Sequence, residues 1–269
     1  MRKELFAGIQ ITILGKQEQH DLWDENNVHF VRSLKAGAQR NQAMRQLETE
    51  WIVNQGLAPR PELVNMLDQI HTDQMVWIPG STGMRQAAVL PQADALASRL
   101  AGPLLVIRTA DCLPLFFAFY GRGGLPDGIP AVQAIGIVHA GWRGLQMGII
   151  EQSLHRVLAT VAESAQTDGL TLEWAIGPCI SGSKYEVGSE VAMHFQHVQP
   201  AERANHFYLD LNQGARTQVL DFCRQTGITE KSTNSLESCT MIENDRWYSH
   251  RAGDIFRNLN MIQIIPDFC

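Results

Sequence analysis

The stretch from Leu104 to Val161 constrains the fold most, because each of its segments admits few conformations. Leu104-Leu105-Val106-Ile107 and Leu115-Phe116-Phe117-Ala118-Phe119-Tyr120 are unbroken apolar runs, short enough to read as buried strands. The polar Thr109-Ala110-Asp111-Cys112 separates them, which sets Cys112 beside the sheet core. Gly121 to Pro130 holds four glycines and two prolines, a loop that returns the chain into a third run, Ala131 to Val138. His139 follows where that strand is expected to end. After Gly141-Trp142-Arg143-Gly144, the residues Leu145, Ile149, Ile150, Leu154, Val157, Leu158 and Val161 mark one face of an amphipathic helix.

The flanking regions are less regular. Arg40 to Val53 carries Ala43, Met44, Leu47, Trp51 and Ile52 at helical spacing, Pro59 to Asp68 reads as a short capped helix, and the polar Lys16 to Asn27 as a loop or mobile segment. Leu172 to Ile176 reads as a strand, Val187 to Val198 and Asn212 to Thr226 as helices, and Met261 to Ile265 as a terminal core strand. Strands and helices coexist without strict alternation, so the expectation is an α+β fold, one layered domain with a mixed or largely antiparallel sheet flanked by helices.

Composition narrows the partners. With 269 residues, 45% hydrophobic and 19% charged, the chain can bury a large core. A formal net charge of -6, with basic residues scattered, argues against nucleic acid or an anionic membrane and for a small-molecule substrate. No run reaches the roughly 18 apolar residues of a membrane span, and Met1 to Phe6 lacks the apolar run of a secretory signal, so a cytoplasmic location is expected. The five cysteines, Cys112, Cys179, Cys223, Cys239 and Cys269, are odd in number and never spaced Cys-x-x-Cys, which disfavours a disulfide scaffold or zinc ribbon.

His71, Cys112 and His139 each sit in a short segment suited to presenting a side chain to a common pocket. Two imidazoles and one thiolate form a set that Zn²⁺ accepts, and three protein ligands leave a fourth position open, as catalysis requires. Copper also takes imidazole and thiolate, though the closely spaced Cys/His/Met cluster of a blue-copper loop is missing. The helix start after His139 offers backbone N–H groups to an anion, and Arg143 adds a fork of donors suited to phosphate.

Gln69-Ile70-His71, Thr109-Ala110-Asp111-Cys112-Leu113-Pro114-Leu115, His139-Ala140-Gly141-Trp142-Arg143-Gly144 and Gly177-Pro178-Cys179-Ile180 resemble, in that order, the YfiH-type polyphenol oxidase or laccase-domain family. Tyr185-Glu186-Val187-Gly188, Cys239-Thr240 and Tyr248-Ser249-His250-Arg251 agree with it. The resemblance covers roughly residues 69 to 265 and leaves residues 1–68 as a divergent amino-terminal segment of one domain spanning 1–269. It implies a zinc-dependent purine nucleoside phosphorylase acting on adenosine, inosine and methylthioadenosine, with adenosine deamination as a second reaction. It also implies zinc ligands at His71, Cys112 and His139.

Around that triad several roles stay open. Asp111 is a candidate to orient a ligand imidazole, to act as a base, or to cap a strand end. Arg143 is a candidate to clamp phosphate or to pair with Glu186, and Gly144 and Tyr185 to contact substrate. Trp142 reads as packing or as a purine stack, and Cys179 as a pocket wall or a small buried residue. Glu186, His250 and Arg251 have no assigned step. Competing readings are a metal-free cysteine hydrolase or amidase using Cys112 and His139, a copper polyphenol oxidase, and a non-catalytic protein that binds a nucleotide or cell-wall precursor. Oligomeric state is open.

Overall fold

The computed structural model describes residues 2–6, 8–79, 90–121, 131–163, 169–196, 198–233 and 236–265. The expected loop at 122–130 and Cys269 lie outside the described residues. In chain order come β1 (Arg2–Phe6), β2 (Ile9–Leu14), α1 (Glu25–Ser33), α2 (Ala38–Asn54), β3 (Val64–Asn65), β4 (Met75–Ile78), β5 (Ala95–Ser98), β6 (Leu104–Thr109), β7 (Leu113–Gly121) and β8 (Ala131–Ala140). There follow α3 (Trp142–Gln146), α4 (Ile149–Ala162), β9 (Thr171–Ile176), β10 (Glu186–Gly188), α5 (Ser189–Ala192), β11 (Val198–Pro200), β12 (His206–Leu209), α6 (Leu211–Thr226), β13 (Thr229–Thr233) and β14 (Asn258–Ile264). No helix among the described residues is long and apolar enough to cross a membrane.

The fold is α+β, with two large sheets where the sequence suggested one. A six-stranded sheet has the order β13-β9-β7-β8-β5-β4 and a five-stranded sheet the order β1-β2-β14-β6-β3. Each is mixed: β13 and β4 join the first sheet in parallel and β3 joins the second in parallel, while the inner pairings are antiparallel. A small sheet, β10-β12-β11, sits apart.

Period-two alternation explains the layering. Along β7, Leu115, Phe117 and Phe119 pack with α4 and α6, whereas Phe116, Ala118 and Tyr120 face Ile9, Ile11 and Ile13 of β2 and Ile262 of β14. The outer face of the second sheet, through Leu104, Val106 and Met261, meets Ile52 and Trp51 of α2. The layers are therefore helices, sheet, sheet, helix. A strand covered on both faces must be apolar at every position, which is why β7 reads as a continuous run. Gly136 on β8 lies opposite Phe117, and a Cβ there would sit 2.1 Å from its ring.

Three local expectations fail for identifiable reasons. The helix expected from Leu145 to Val161 is broken at Met147-Gly148, where Gly148 turns left-handed (φ 75°) and α4 begins anew. Pro59 to Asp68 forms only a 3-10 turn at Pro61–Leu63, because Val64 and Asn65 are taken up by the ladder of β6 and Asn65 Nδ2 donates to Leu63 O and Leu104 O. Val187 to Val198 is mostly strand and turn, since β12 pairs with both β10 and β11 and leaves one helical turn between them.

Lys16 to Asn27 is a loop of turns as far as Trp23, but one anchored in the core. Gln19 is fully buried and its Nε2 donates to Leu14 O and Arg257 O, while Trp23 stacks on Phe256 at 4.2 Å. Asp24 then caps α1 by accepting from Asn27 N.

Candidate metal centre

The three candidate ligands meet. His71, Cys112 and His139 place one donor atom each so that all lie within 4.8 Å of one another. A tetrahedral Zn²⁺ with bonds of about 2.0–2.3 Å spaces its ligands roughly 3.3–3.8 Å apart, and Cys112 Sγ already lies 3.7 Å from His71 Nε2. The donor set therefore fits a metal ion. Among the described residues this is the one group of three or more His, Cys, Asp or Glu side chains arranged for that purpose.

Each ligand is positioned by a different local device. Gln69 turns its carboxamide against β6 like one more strand residue: Nε2 donates to Arg108 O at 2.9 Å and Oε1 accepts from Arg108 N at 2.8 Å. Two residues later, His71 adopts a left-handed backbone, φ 61°, which side chains with a Cβ seldom take. The fully buried carboxylate of Asp94 holds that turn, its Oδ2 accepting from Ile70 N at 3.2 Å and Thr72 N at 2.7 Å. Asp94 Oδ1 lies 2.7 Å from His139 Nδ1. One carboxylate thus fixes the turn that carries one imidazole and the ring orientation of the other, leaving His139 Nε2 for the centre.

Asp111 is also left-handed, φ 81°. Its Oδ1 accepts from Thr240 Oγ1 at 2.6 Å and its Oδ2 from Arg251 N at 2.7 Å. Asp111 therefore anchors the Cys112 turn to two distant segments and touches no ligand imidazole; the orienting contact considered for it belongs to Asp94. Gly141 closes the centre from the strand end, where a Cβ would stand 2.9 Å from His71 Cδ2 and 3.1 Å from Cys112 Sγ. Only a residue without a side chain fits there.

The electrostatics favour a thiolate. Burial opposes ionisation of Cys112, but the charge of His139 and hydrogen bonds from His139 and His71 outweigh it and bring its pKa down to about 6. Burial likewise disfavours the charged form of His139, yet the neighbouring Cys112 and Asp94 raise it to about 9. Asp94 is itself held below the usual carboxylate range: burial works against this, and the bond and charge of His139 prevail. The thiolate is the form a metal ion requires, and a bound ion would displace the proton that His139 carries at neutral pH.

The remaining candidates divide. Tyr185 lies under the Arg251 guanidinium, 5.2 Å from ring centre to Cζ, and burial followed by the Cys112 charge pushes its phenol up to about 12, so it stays a donor at neutral pH. Arg251 Nη1 donates to Glu186 O, the residue considered as a partner for Arg143. Arg143 instead lies over Trp142 at 4.5 Å. Its helix, α3, has five residues. Gly144 is buried, with space for a Cβ limited by Ile149 at 3.2 Å and by the backbones of Thr72 and His139, so it serves close packing. Cys179 is buried and directs its thiol to Asn212 Oδ1 at 2.9 Å, with burial first and Cys239 second pushing its pKa well up. It packs against the helix side rather than walling the cavity.

That cavity, about 340 Å³, is lined by His71, Cys112 and His139 and by Arg45, Arg108 and Arg257, with His250 and Ile255 also contributing. The sequence reading missed Asp94 and all three arginines. A signal for one was present: Arg108 is a charge inside an otherwise apolar strand. A second was Glu48, which stands between Met44 and Ile52 on the buried stripe of α2 and holds Arg108 Nε at 2.8 Å.

Similar proteins agree with this architecture. A purine nucleoside phosphorylase of Xylella fastidiosa is 31% identical over 198 residues, covering 71% of this chain and 68% of that protein. One of Bacteroides thetaiotaomicron is 28% identical over 253 residues, covering 84% and 86%. Among solved structures, a Neisseria meningitidis protein of the DUF152 family superposes with a TM-score of 0.58 at 25% identity, covering 83% of this chain and 81% of that one. YlmD from Geobacillus stearothermophilus gives 0.63 at 22% identity, covering 97% and 94%, and so supports the fold. The family model for multi-copper polyphenol oxidoreductase laccase matches residues 31–265, and the chain belongs to that family.

Proposed function

We propose that this protein is a zinc-dependent purine nucleoside phosphorylase. It would convert adenosine, inosine and S-methyl-5′-thioadenosine to the free base and the sugar 1-phosphate, with adenosine deamination as a second reaction. In this reading residues 1–269 act as one layered domain in the cytoplasm. The carrying observation is that a His/Cys/His donor group opens onto a 340 Å³ cavity also lined by three arginines, a size that suits a small ligand. The names of the relatives at about 30% identity support the same choice.

Zinc suits the set better than a copper oxidase centre, because a multi-copper mechanism needs several ions and one ligand group is found among the described residues. When bound, Zn²⁺ would supply Lewis-acid stabilisation of developing negative charge. The chain's own residues do the rest. Asp94 fixes the His139 ring by its Nδ1, and Gly141 leaves room above the sulfur. Tyr185 remains a hydrogen-bond donor beside the centre. In phosphorolysis an oxygen of phosphate bonds to ribose C1′ as the C1′–N9 bond breaks, and the electron pair leaves with the purine, which takes up a proton. Such a reaction depends on positioning and charge neutralisation, to which a partly enclosed cavity lined by arginines would contribute.

The test pairs metal analysis of protein purified without added metal with an assay for adenine and hypoxanthine release, for wild type and Cys112→Ala. Stoichiometric zinc and phosphate-dependent release, both lost in the variant, is the expected result. Zinc without release from any of the three nucleosides would refute the activity. One observation favours a second reading: Asp94, His139 and Cys112 also line up as the orienter, base and nucleophile of a cysteine hydrolase. That reading gives His71 no role, and it requires rapid thiol alkylation that zinc does not slow.

A further inference from the structure

Of the three arginines that line the cavity, two have a direct carboxylate partner. Arg45 comes from α2, Arg108 from β6 and Arg257 from the residue before β14, and Arg108 repels both of the others. Two carboxylates answer three guanidinium groups. Asp68 Oδ1 lies 3.3 Å from Arg45 Nη1, and Glu48, fully buried, grips Arg108 by its Nε. That grip leaves the outer edge of Arg108 facing the Met44 sulfur, 3.9 Å from Nη2. Arg257 Nη1 donates to two backbone carbonyls, Ile255 O at 3.0 Å and Phe256 O at 2.9 Å, which carry no charge. Arg257 is thus held by neutral carbonyls rather than by a direct ion pair, while the charges of Cys112, Glu48 and Asp111 act on it from nearby and hold it in a partly enclosed site.

We infer that Arg257 and the outer edge of Arg108, with Arg45 behind them, form a subsite for a phosphoryl group in the same cavity as the metal ligands. Guanidinium forks converging from three separate elements suit a tetrahedral oxyanion with several acceptor oxygens better than a flat carboxylate. The inference rests on the phosphorylase reading only for choosing phosphate among oxyanions. It also moves the anion away from Arg143, which does not line this cavity. The phosphoryl group can arrive as inorganic phosphate or as the 5′-phosphate of a nucleotide, and the two chemistries are separable by experiment.

The experiment is calorimetric titration of the full-length, metal-loaded protein with inorganic phosphate and, separately, with adenosine 5′-monophosphate. Arg257→Gln is compared with the double variant Arg108→Met/Glu48→Gln, which removes the buried pair together so that neither charge is stranded. Arg224→Gln, an exposed arginine on α6, controls for net charge. The expected result is binding by wild type and by the control, weakened about tenfold to a hundredfold in both test variants, the scale of a lost charged hydrogen bond. Tighter binding of inorganic phosphate assigns the site to the free ion, and tighter binding of the nucleotide assigns it to a nucleotide-borne group; either supports the subsite. No binding to wild type, or equal binding by all four proteins, overturns it. The two proposals fail separately. Phosphate-dependent base release with an unchanged KM for phosphate in Arg257→Gln would overturn the subsite alone. Phosphate binding lost in the variants, with no base release by wild type, would overturn the phosphorylase reading alone.

Discussion

The two sides of the cavity are built on opposite principles. On the metal side the backbone is irregular: His71 and Asp111 are left-handed, and Gly141 admits no Cβ. There, position is enforced by backbone N–H groups donating to a side-chain carboxylate or carboxamide, as with Asp94 and Gln69. On the arginine side Arg45 and Arg108 stand on ordinary helix and strand, with Arg257 just ahead of β14, and position is enforced by charge pairing inside the core, as with Glu48 and Arg108. Strained backbone is expensive but insensitive to the surrounding dielectric, whereas a buried ion pair is only as good as its weaker partner. The metal side is thus expected to fail by losing geometry, and the arginine side by losing stability.

The largest effect tests the second half of that contrast. Arg108→Met leaves Glu48 charged or protonated without a partner at 0% exposure, and the cost is expected at about 3–5 kcal/mol. Adding Glu48→Gln should recover most of it, read as the denaturant midpoint of the double variant. A single variant within 1 kcal/mol of wild type would show that the pair is not holding the wall.

Asp94→Asn addresses the metal side. An amide cannot accept from both Ile70 N–H and Thr72 N–H on one oxygen and also accept from His139 Nδ1–H; presenting its NH₂ to the ring moves the imidazole proton to Nε2, where it faces the metal. Metal affinity should fall by about 10- to 100-fold with little change in melting temperature, measured by competition with a chromophoric chelator. An affinity unchanged with a collapsed fold would reverse the contrast. The smallest expected change is Gly141→Ala. Its methyl meets the edge of His71 and the Cys112 sulfur, and the expected result is several-fold weaker metal binding at a stability cost of about 1–3 kcal/mol. Retained affinity in that variant would mean that the centre has slack the packing does not show.

The same contrast explains what could be read from the amino-acid string. Unusual backbone needs a run of cooperating residues, so the metal side is written as contiguous strings such as Thr109-Ala110-Asp111-Cys112 and His139-Ala140-Gly141, and the His/Cys/His group that could hold a metal was legible. Strands buried on both faces were legible for a similar reason, since every residue of β7 has to be apolar. An arginine wall on regular elements needs one residue from each, and Arg45, Arg108 and Arg257 are 63 and 149 positions apart in sequence, with no local pattern to join them. Asp94 was hidden in the same way, as a single acid before an alanine-rich strand. Helical spacing at Val187, Val191 and Val198 misled because β12, which pairs with this segment on both sides, lies further along the chain.

The ladder between β2 and β14 joins Leu14 to Leu259 and Ile9 to Ile264. During synthesis the five-stranded sheet has no central strand until residue 264 has left the ribosome, so its core stays open while the six-stranded sheet can already assemble around β7. Arg257 stands immediately before that last strand. A nascent chain halted at residue 250 would already carry His71, Cys112 and His139, and would gain Arg257 only as β14 comes to pair with β2.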